Sequence, residues 1–252
     1  MATGNPAIRV ALEKQTNVGS IFRRLLNRYF YFTASIVMAG LVVLGFGHTV
    51  DARLLHANPP RPILLWFHGM LFSAWMALFI MQSALVRLRR VSLHRALGWL
   101  GATLAVAMVG SSFTVTNVMM RFDITVLHRT NVASFLSILW CDMVIFGACM
   151  ALAIYYRKRP EYHRRLVFLA TCQLMQAAFV RLPSLGYHNL FYPALDMLIV
   201  AGLARDLVVD SRVHSVYRYG FPGMIVLQAW ATYLQLVNPS WWQATTRSVL
   251  GV

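Results

Sequence analysis

The chain has 252 residues, of which 58 % are hydrophobic and only 12 % are charged, and its formal net charge is +15 at pH 7. A soluble domain of this length needs more charged residues to cover its surface, so this composition and a mean hydropathy of +0.58 indicate a membrane protein. The basic residues occur in short clusters between apolar runs rather than along one face, which argues against nucleic-acid binding.

Residues 1–28 form a polar, basic tail ahead of the first apolar run. That run is itself long enough to cross a bilayer, so no cleavable signal peptide is predicted. Within the tail, Ile8–Leu26 has the pattern of an interfacial helix, and a partly ordered segment is the alternative. The cations on the polar side of this helix would be Arg9, Lys14, Arg23 and Arg24.

Seven segments have about 20 mainly apolar residues, the length that a transmembrane helix needs. They are Tyr29–Gly47, Ile63–Val86, Leu97–Met120, Asn131–Tyr155, Leu166–Leu182, Leu190–Val208 and Gly220–Val237. We therefore expect an all-α, polytopic membrane helical bundle of seven transmembrane helices. It would occupy residues 29–240 as one domain, and residues 241–252 would form a short extracytoplasmic tail.

The distribution of lysine and arginine predicts the orientation of the bundle. Most of the 23 such residues lie in the tail and in the loops 87–95, 157–165 and 205–218, all on one side of a seven-span chain. The positive-inside rule then predicts a cytoplasmic N-terminus. Trp241 and Trp242, after the last span, are typical of an aromatic belt at the outer surface.

A basic turn followed by a His-Arg pair and an apolar run occurs twice. The two pairs begin at His94 and His163, 69 residues apart, which predicts that spans two and three and spans four and five are repeated helical hairpins. Both histidines precede predicted helices, so we expect them to cap those helices and to meet lipid phosphates. A second site formed together with His214 is the alternative.

Polar side chains within the spans are candidate functional residues, because each costs free energy in a membrane unless it is paired or useful. Asp142 lies near the middle of the fourth span, and Gln173 lies at a similar depth in the fifth. We expect Asp142 to be protonated or hydrogen-bonded, with Gln173 or Gln176 as its partner. Two roles stay open for it, which are joining helices and handling a proton or a ligand.

A second polar group is predicted near the outer face. His68, Asn117, Arg181 and Asp196 come from four different spans and lie within about 10 Å of the outer boundary at 1.5 Å per residue. Because a lone charge at this depth would be costly, an ion pair between Arg181 and Asp196 is expected. The layer would be either a ligand-binding pocket or a polar contact that holds the helices together.

Histidines near the same face are candidate metal ligands, since imidazole binds haem iron, copper and zinc. These candidates are His48, His68, His128 and His188. No H-x-x-x-H or H-E-x-x-H motif is present, which excludes a histidine-box di-iron enzyme and a zinc metalloprotease of that type. The only lysines, Lys14 and Lys158, lie outside the spans, which excludes a retinal Schiff base.

Several short motifs between Ile63 and Arg181 resemble a family of uncharacterised bacterial multi-pass membrane proteins. They are W-F-H-G, Q-S-A-L-V-R, H-R-A-L-G-W, H-R-R-L and A-A-F-V-R. This resemblance implies the bacterial cytoplasmic (inner) membrane. More distantly, the chain is similar to cytochrome b561-like helical hairpins, in which two histidines inside the bundle bind each haem. That likeness implies haem b, with His68 as one ligand and His128 or His188 as the other.

Three functions are compatible with these residues. The favoured hypothesis is a redox or electron-transfer protein with haem or a transition metal near the outer face. The second is a carrier or receptor for a small or lipidic ligand that uses the polar layer as its pocket. The third is a non-catalytic subunit that packs against partner proteins in a larger membrane complex. No enzyme class is assigned, because no G-x-S-x-G motif, P-loop or glycine-rich dinucleotide motif occurs.

Overall fold

The computed structural model describes the backbone of residues 6–130 and 132–252 and the side chains of residues 19–130 and 132–252. Within these residues all regular secondary structure is helical. The α-helices are α1 (Pro6–Gly47), α2 (Leu64–Arg87), α3 (Val91–Thr125), α4 (Leu136–Tyr155), α5 (Pro160–Leu174), α6 (Gln176–Phe179), α7 (Pro183–Gly186), α8 (Phe191–Asp210), α9 (Ser215–Val237) and α10 (Ser240–Leu250). A short π-helix (Asp51–Leu55) and a 3-10 helix (Ala133–Phe135) precede α2 and α4.

Four helical segments are long and apolar enough to cross a membrane, which agrees with the membrane protein and helical bundle predicted from the sequence. They are Gly19–Gly47, Leu64–Arg87, Val91–Thr125 and Ala133–Tyr155. Asn131, the predicted start of the fourth span, lies outside the described residues. Two of the later helices are shorter or more polar than these four, since α5 has only 15 residues and α8 contains four charged residues.

Helix α4 is the central helix of the bundle. It packs against α3, α5 and α9. Half of its most apolar stretch is buried, against 17 to 22 % in the other three long helices. The buried positions Ile138, Asp142, Phe146, Cys149 and Ala153 recur every three or four residues and therefore lie on one face.

The predicted fifth span, Leu166–Leu182, is not one continuous helix. Helix α5 ends at Leu174, Met175 interrupts it, and the four-residue helix α6 follows. From Arg165 onward every residue of α5 is buried except Val167, which is partly buried. This segment is therefore largely surrounded by protein, and backbone hydrogen bonds from Met175 to Cys172 and from Ala178 to Met175 continue across the interruption.

The two helices that follow the basic turns begin in the same register. Helix α3 begins at Val91 and α5 begins at Pro160, again 69 residues apart, so that His94 and His163 are each the fourth residue of a helix. Residues 88–90 connect α2 to α3, and residues 156–159 connect α4 to α5. Each pair packs together as neighbouring helices.

The two predicted tails both contain helix. Helix α1 runs from Pro6 to Gly47 without a break, so the predicted interfacial segment Ile8–Leu26 continues directly into the first apolar segment. The side chains of Arg9 and Lys14 lie outside the described residues. At the other end, residues 240–250 form α10, which packs on α3 and on the 3-10 helix before α4. Trp242 is buried there, whereas Trp241 is half exposed.

A close approach between α1 and α6 depends on Gly45. A Cβ atom at this position would lie 2.4 Å from the carbonyl oxygen of Ala178, so an alanine would push the two backbones apart. We expect Gly45→Ala to lower the free energy of unfolding by about 1–3 kcal/mol, measured by denaturation in detergent micelles.

The matched control for this substitution is Gly40→Ala in the same helix. No described atom lies within 4 Å of a Cβ atom at Gly40, so the substitution is sterically free. Because alanine is the better helix former, we expect no loss of stability and a gain of up to about 1 kcal/mol. Equal effects of the two substitutions would contradict the close contact at Gly45.

Candidate functional site

A hydrogen-bonded polar network lies inside the bundle and joins α4, α5, α8 and α9. Gln173 Nε2 donates to Asp142 Oδ1 at 2.7 Å, and the hydroxyl of Tyr192 donates to the same oxygen at 2.9 Å. Gln228 Nε2 lies 3.1 Å from Gln173 Oε1 and 3.3 Å from Asp196 Oδ1. Five side chains from four helices thus form one continuous chain of hydrogen bonds.

The network is buried because α4, α5 and α9 each present one polar side chain to the interior and α8 presents two. Asp142, Gln173, Tyr192 and Gln228 are each at most 5 % exposed, and Asp196 is partly buried. Tyr192 and Asp196 are four residues apart in α8 and therefore lie on the same face. Hydrogen bonds between such groups offset the cost of removing them from water, which makes the network a strong constraint on helix packing.

The predicted pairing of Asp142 with Gln173 is confirmed by this geometry. Gln176 was the other expected partner, but it follows the interruption at Met175 and does not reach Asp142. Its Nε2 atom is buried and has no hydrogen-bond partner within the described part of the chain. Tyr192 and Gln228 were missed, although each is a polar side chain in a predicted span.

A groove between α8 and α9 opens onto the network. Its volume is about 530 Å³, and Tyr192 and Gln228 both lie in its wall. The other lining residues are Asn189, Pro193, Ile225, Ala229, Thr232, Tyr233, Leu236 and Val237. The wall is therefore mostly apolar, contains amide and hydroxyl groups, and has no charged side chain among these residues.

The predicted layer at the outer face is only partly assembled, and the expected ion pair within it is wrong. Among the side chains described, Arg181 and Asp196 form no salt bridge. The guanidinium of Arg181 instead donates to the Ala177 carbonyl and lies 4.1 Å from the ring centroid of Phe46. Asp196 accepts from Gln228. The two side chains thus belong to different surroundings, since one faces α1 and the other faces α9.

His68 and Asn117 do not join the network. The imidazole of His68 packs on Phe72 with ring centroids 4.2 Å apart, and it interacts electrostatically with Arg181. Its Nδ1 atom and the Oδ1 atom of Asn117 are buried without a hydrogen-bond partner in the described side chains. Of the six predicted ligand-binding residues, the structure joins Asp142, Gln173 and Asp196 and leaves the other three apart from them.

The candidate metal ligands at this face do not assemble into a metal site. No group of three or more histidine, cysteine, aspartate or glutamate side chains that could hold a metal ion occurs within residues 19–130 and 132–252. His48 donates from Nδ1 to the Leu44 carbonyl at 2.7 Å and is exposed. His128 and His188 are also exposed.

A second polar network, which the sequence did not predict, joins α1, α5 and α8. The guanidinium of Arg165 donates from Nε and Nη2 to both carboxylate oxygens of Asp206, at 2.7 and 2.8 Å. Arg205 donates to Asp206 at 2.9 Å and also to Asn27 of α1. Both arginines donate to Asp210 at 2.8 Å. Arg165, Arg205 and Asp206 are each at most 2 % exposed, whereas Asp210 lies at the edge of the cluster and is exposed. Two cations and two carboxylates thus form a charge-compensated cluster that is buried apart from Asp210.

The three histidines near the basic turns have different roles from those expected. His94 and His163 cap neither α3 nor α5, because neither helix has a side-chain cap. His163 donates instead from Nδ1 to the Ala153 carbonyl at 2.9 Å, and its ring centroid lies 6.3 Å from that of His94. His214 is the residue that caps a helix, since its Nδ1 accepts from the backbone N–H of Val216. Burial, together with the charge of Arg165, lowers the pKa of His214.

Comparison with known proteins assigns neither a family nor a function to this chain. No family model, curated protein or solved structure matches the chain. The resemblances to bacterial multi-pass proteins and to cytochrome b561-like hairpins therefore stay predictions.

Proposed function

We propose that this chain is a multi-pass protein of the bacterial cytoplasmic membrane, with seven transmembrane helices and a cytoplasmic N-terminus. The four long apolar helices and the alternation of basic loops support this arrangement. Helices α5, α8 and α9 would be the remaining spans. Their polar side chains pair with one another inside the bundle, which is how membrane helices with low hydropathy are stabilised. The common register of α3 and α5 supports two repeated hairpins.

Within this arrangement, the protein binds a small, uncharged amphipathic molecule in the groove between α8 and α9. The observation that carries this proposal is that Tyr192 and Gln228 belong both to the wall of the groove and to the buried network. A mostly apolar pocket with a few convergent polar groups is the usual form of a small-molecule site, and 530 Å³ lies within the usual range of about 300–1,000 Å³. The protein would act as a carrier or receptor.

The chemistry of the wall defines the class of ligand. Apolar side chains such as Ile225 and Leu236 favour a hydrocarbon body. Because Gln228 Nε2 already donates to Gln173 and Asp196, the amide oxygen of Gln228 is left to accept and favours a hydroxyl head. A charged head would be left without a counter-charge in the wall, so it would be disfavoured. Because Gln228 also donates to Asp196 and lies next to Gln173, a ligand that binds its amide would alter the hydrogen bonds that hold four helices together.

This proposal is tested with an ω-bromo fatty alcohol, whose bromine quenches tryptophan fluorescence. Trp230 stacks on Tyr233, a groove residue, with ring centroids 5.5 Å apart, so the bound probe would lie near this indole. We expect saturable quenching that is lost in Trp230→Phe. Binding should be about two- to tenfold weaker in Gln228→Leu, because the variant removes one hydrogen bond to the head, worth about 0.5–1.5 kcal/mol.

Two controls make the test specific. The matching ω-bromo fatty acid has the same chain and a charged head, and it should bind at least about tenfold more weakly than the alcohol. Gln243→Leu replaces a glutamine of α10 whose amide donates to the Asn238 carbonyl, outside the network and the groove, and it should leave alcohol binding unchanged. Equal binding of acid and alcohol, or unchanged binding by Gln228→Leu, would overturn the proposed site.

The redox hypothesis favoured by the sequence stays a prediction. The unpartnered Nδ1 atom of His68, within the part of the chain that is described, is the observation in its favour. His128 or His188 would have to supply the second haem ligand. A visible absorption spectrum of the purified protein and of His68→Ala tests this function, and purification with stoichiometric partner chains tests the subunit hypothesis.

A further inference from the structure

A second groove runs along the outside of α1, on the side where this helix meets α8 and α5. Its volume is about 590 Å³. The lining residues are Phe22, Leu25, Leu26, Tyr29, Phe30, Thr33, Ala34, Val37 and Met38 of α1, Phe168 of α5, and Leu198 and Ala201 of α8. All but Tyr29 and Thr33 are apolar. This groove is separate from the one between α8 and α9, with which it shares no lining residue.

The part of the groove that lies within the predicted first span, from Tyr29 to Met38, has the length of one leaflet of a bilayer. Tyr29 is where the predicted first span begins, and Met38 is the last lining residue in α1. Met38 is nine positions after Tyr29, which corresponds to about 14 Å of helix at 1.5 Å per residue. Half of a hydrocarbon core about 30 Å thick is about 15 Å. An acyl chain that enters the groove at Tyr29 would therefore be covered along most of its length.

Arginine side chains lie near Tyr29, at the end of the groove where the acyl chain would enter. The guanidinium of Arg87 lies 3.4 Å from the ring centroid of Tyr29, and that of Arg28 lies 5.7 Å from the same centroid. The Nη1 atom of Arg87 is buried and has no hydrogen-bond partner among the described side chains. Arg23 links α1 to the end of α8 by donating to the Val208 carbonyl and to Ser211. The sequence from Ile21 to Gly47 contains no acidic residue, and the nearby carboxylates of α8, Asp206 and Asp210, pair with Arg165 and Arg205. This end of the groove therefore carries an excess of positive charge.

We propose that this groove binds one anionic phospholipid. The phosphate lies against Arg28 and Arg87 at the level of Tyr29, and one acyl chain follows α1 between Phe30 and Met38. Arginine suits this position because its planar guanidinium forms paired hydrogen bonds to phosphate oxygens. The apolar walls would exclude a free inorganic anion from the rest of the groove, so both the headgroup and the chain are needed for binding.

The experiment measures lipid retention by the purified full-length chain in detergent, using native mass spectrometry. Phosphatidylglycerol and phosphatidylcholine with identical acyl chains are added at matched concentrations. We expect one phosphatidylglycerol to be retained per chain. Each of Arg28→Gln and Arg87→Gln should weaken this binding by about fivefold, the effect of one basic residue at an anionic lipid surface. The matched controls Arg89→Gln and Arg90→Gln, in the exposed turn after α2, should leave it unchanged.

A second variant tests the acyl chain separately. Thr33→Trp places an indole in the groove from an exposed position and should abolish retention of the lipid, whereas Thr114→Trp on the exposed face of α3 should not. Equal retention of phosphatidylcholine would overturn the role of the arginines. Three results would overturn the site. They are unchanged binding by Thr33→Trp, displacement of the lipid by inorganic phosphate alone, and a protein chain found in the groove at 1:1 stoichiometry. None of these outcomes depends on ligand binding between α8 and α9.

Discussion

Replacing Asp206 by alanine is expected to lower the free energy of unfolding by about 3–5 kcal/mol, the cost of removing one partner from a buried ion pair. Asp206 is fully buried and accepts hydrogen bonds from Arg165 and Arg205 at 2.7 to 2.9 Å. Without its carboxylate, these two buried guanidinium groups would share only Asp210. The loss is measured by denaturant unfolding in mixed micelles and by the melting temperature in detergent.

Two further variants separate the loss of the ion pair from a general effect of removing a carboxylate. Asp51→Ala removes an exposed carboxylate that contacts His56, so its effect should stay within about 0.5 kcal/mol. The double variant Arg165→Met/Asp206→Leu replaces one arginine and one carboxylate with apolar side chains and should recover part of the lost stability, because Arg205 and Asp210 still pair. If Asp206→Ala is no more destabilising than Asp51→Ala, the cluster contributes nothing to the fold.

The apolar helices could be predicted from the sequence because their signal is local. A run of about 20 apolar residues has few alternatives to a buried or membrane-spanning helix, and each of the four long apolar helices coincides with a predicted span. The interruption at Met175 could not be predicted in this way. Neither glycine nor proline marks it, and the helix that follows the interruption, α6, packs against Gly45 of α1 through Ala178.

Pairing between distant polar residues could be predicted only in part. Asp142 and Gln173 were matched by depth, and the structure joins them at 2.7 Å. Depth alone does not give the direction in which a side chain points around its helix, and for this reason the predicted Arg181–Asp196 pair was wrong. Arg181 faces Phe46 of α1, whereas Asp196 faces Gln228 of α9.

The buried arginine cluster was missed because a count of basic residues treats each one as a loop cation. Arg165 and Arg205 were counted in basic loops, although both lie inside helices and are neutralised by Asp206 and Asp210. The partners are 41 and 45 residues from Arg165 in the sequence, a separation at which no local pattern operates. The exposed arginines at 89 and 90 and in the turn before α5 still favour the predicted orientation.

Replacing Asp142 by leucine is expected to lower the free energy of unfolding by about 2–6 kcal/mol. The substitution leaves the buried amide of Gln173 and the buried hydroxyl of Tyr192 without their shared acceptor, and each unsatisfied group costs about 1–3 kcal/mol. Asp142→Asn is the matched variant, because its side-chain oxygen can still accept from both donors. It should cost about 1 kcal/mol or less in the same mixed-micelle denaturation.

The asparagine variant also separates the two roles that the sequence leaves open for Asp142. It keeps the hydrogen-bond acceptor but removes the carboxyl proton, so a purely structural Asp142 predicts unchanged binding of the ω-bromo alcohol at every pH. A carboxyl that takes part in ligand binding predicts instead that Asp142→Asn binds with altered affinity and loses any pH dependence seen in the unsubstituted chain. Because Gln173 and Gln228 connect this carboxyl to the groove, the second result is the one that the proposed site leads us to expect. Equal stability of the leucine and asparagine variants would contradict the hydrogen-bond geometry itself.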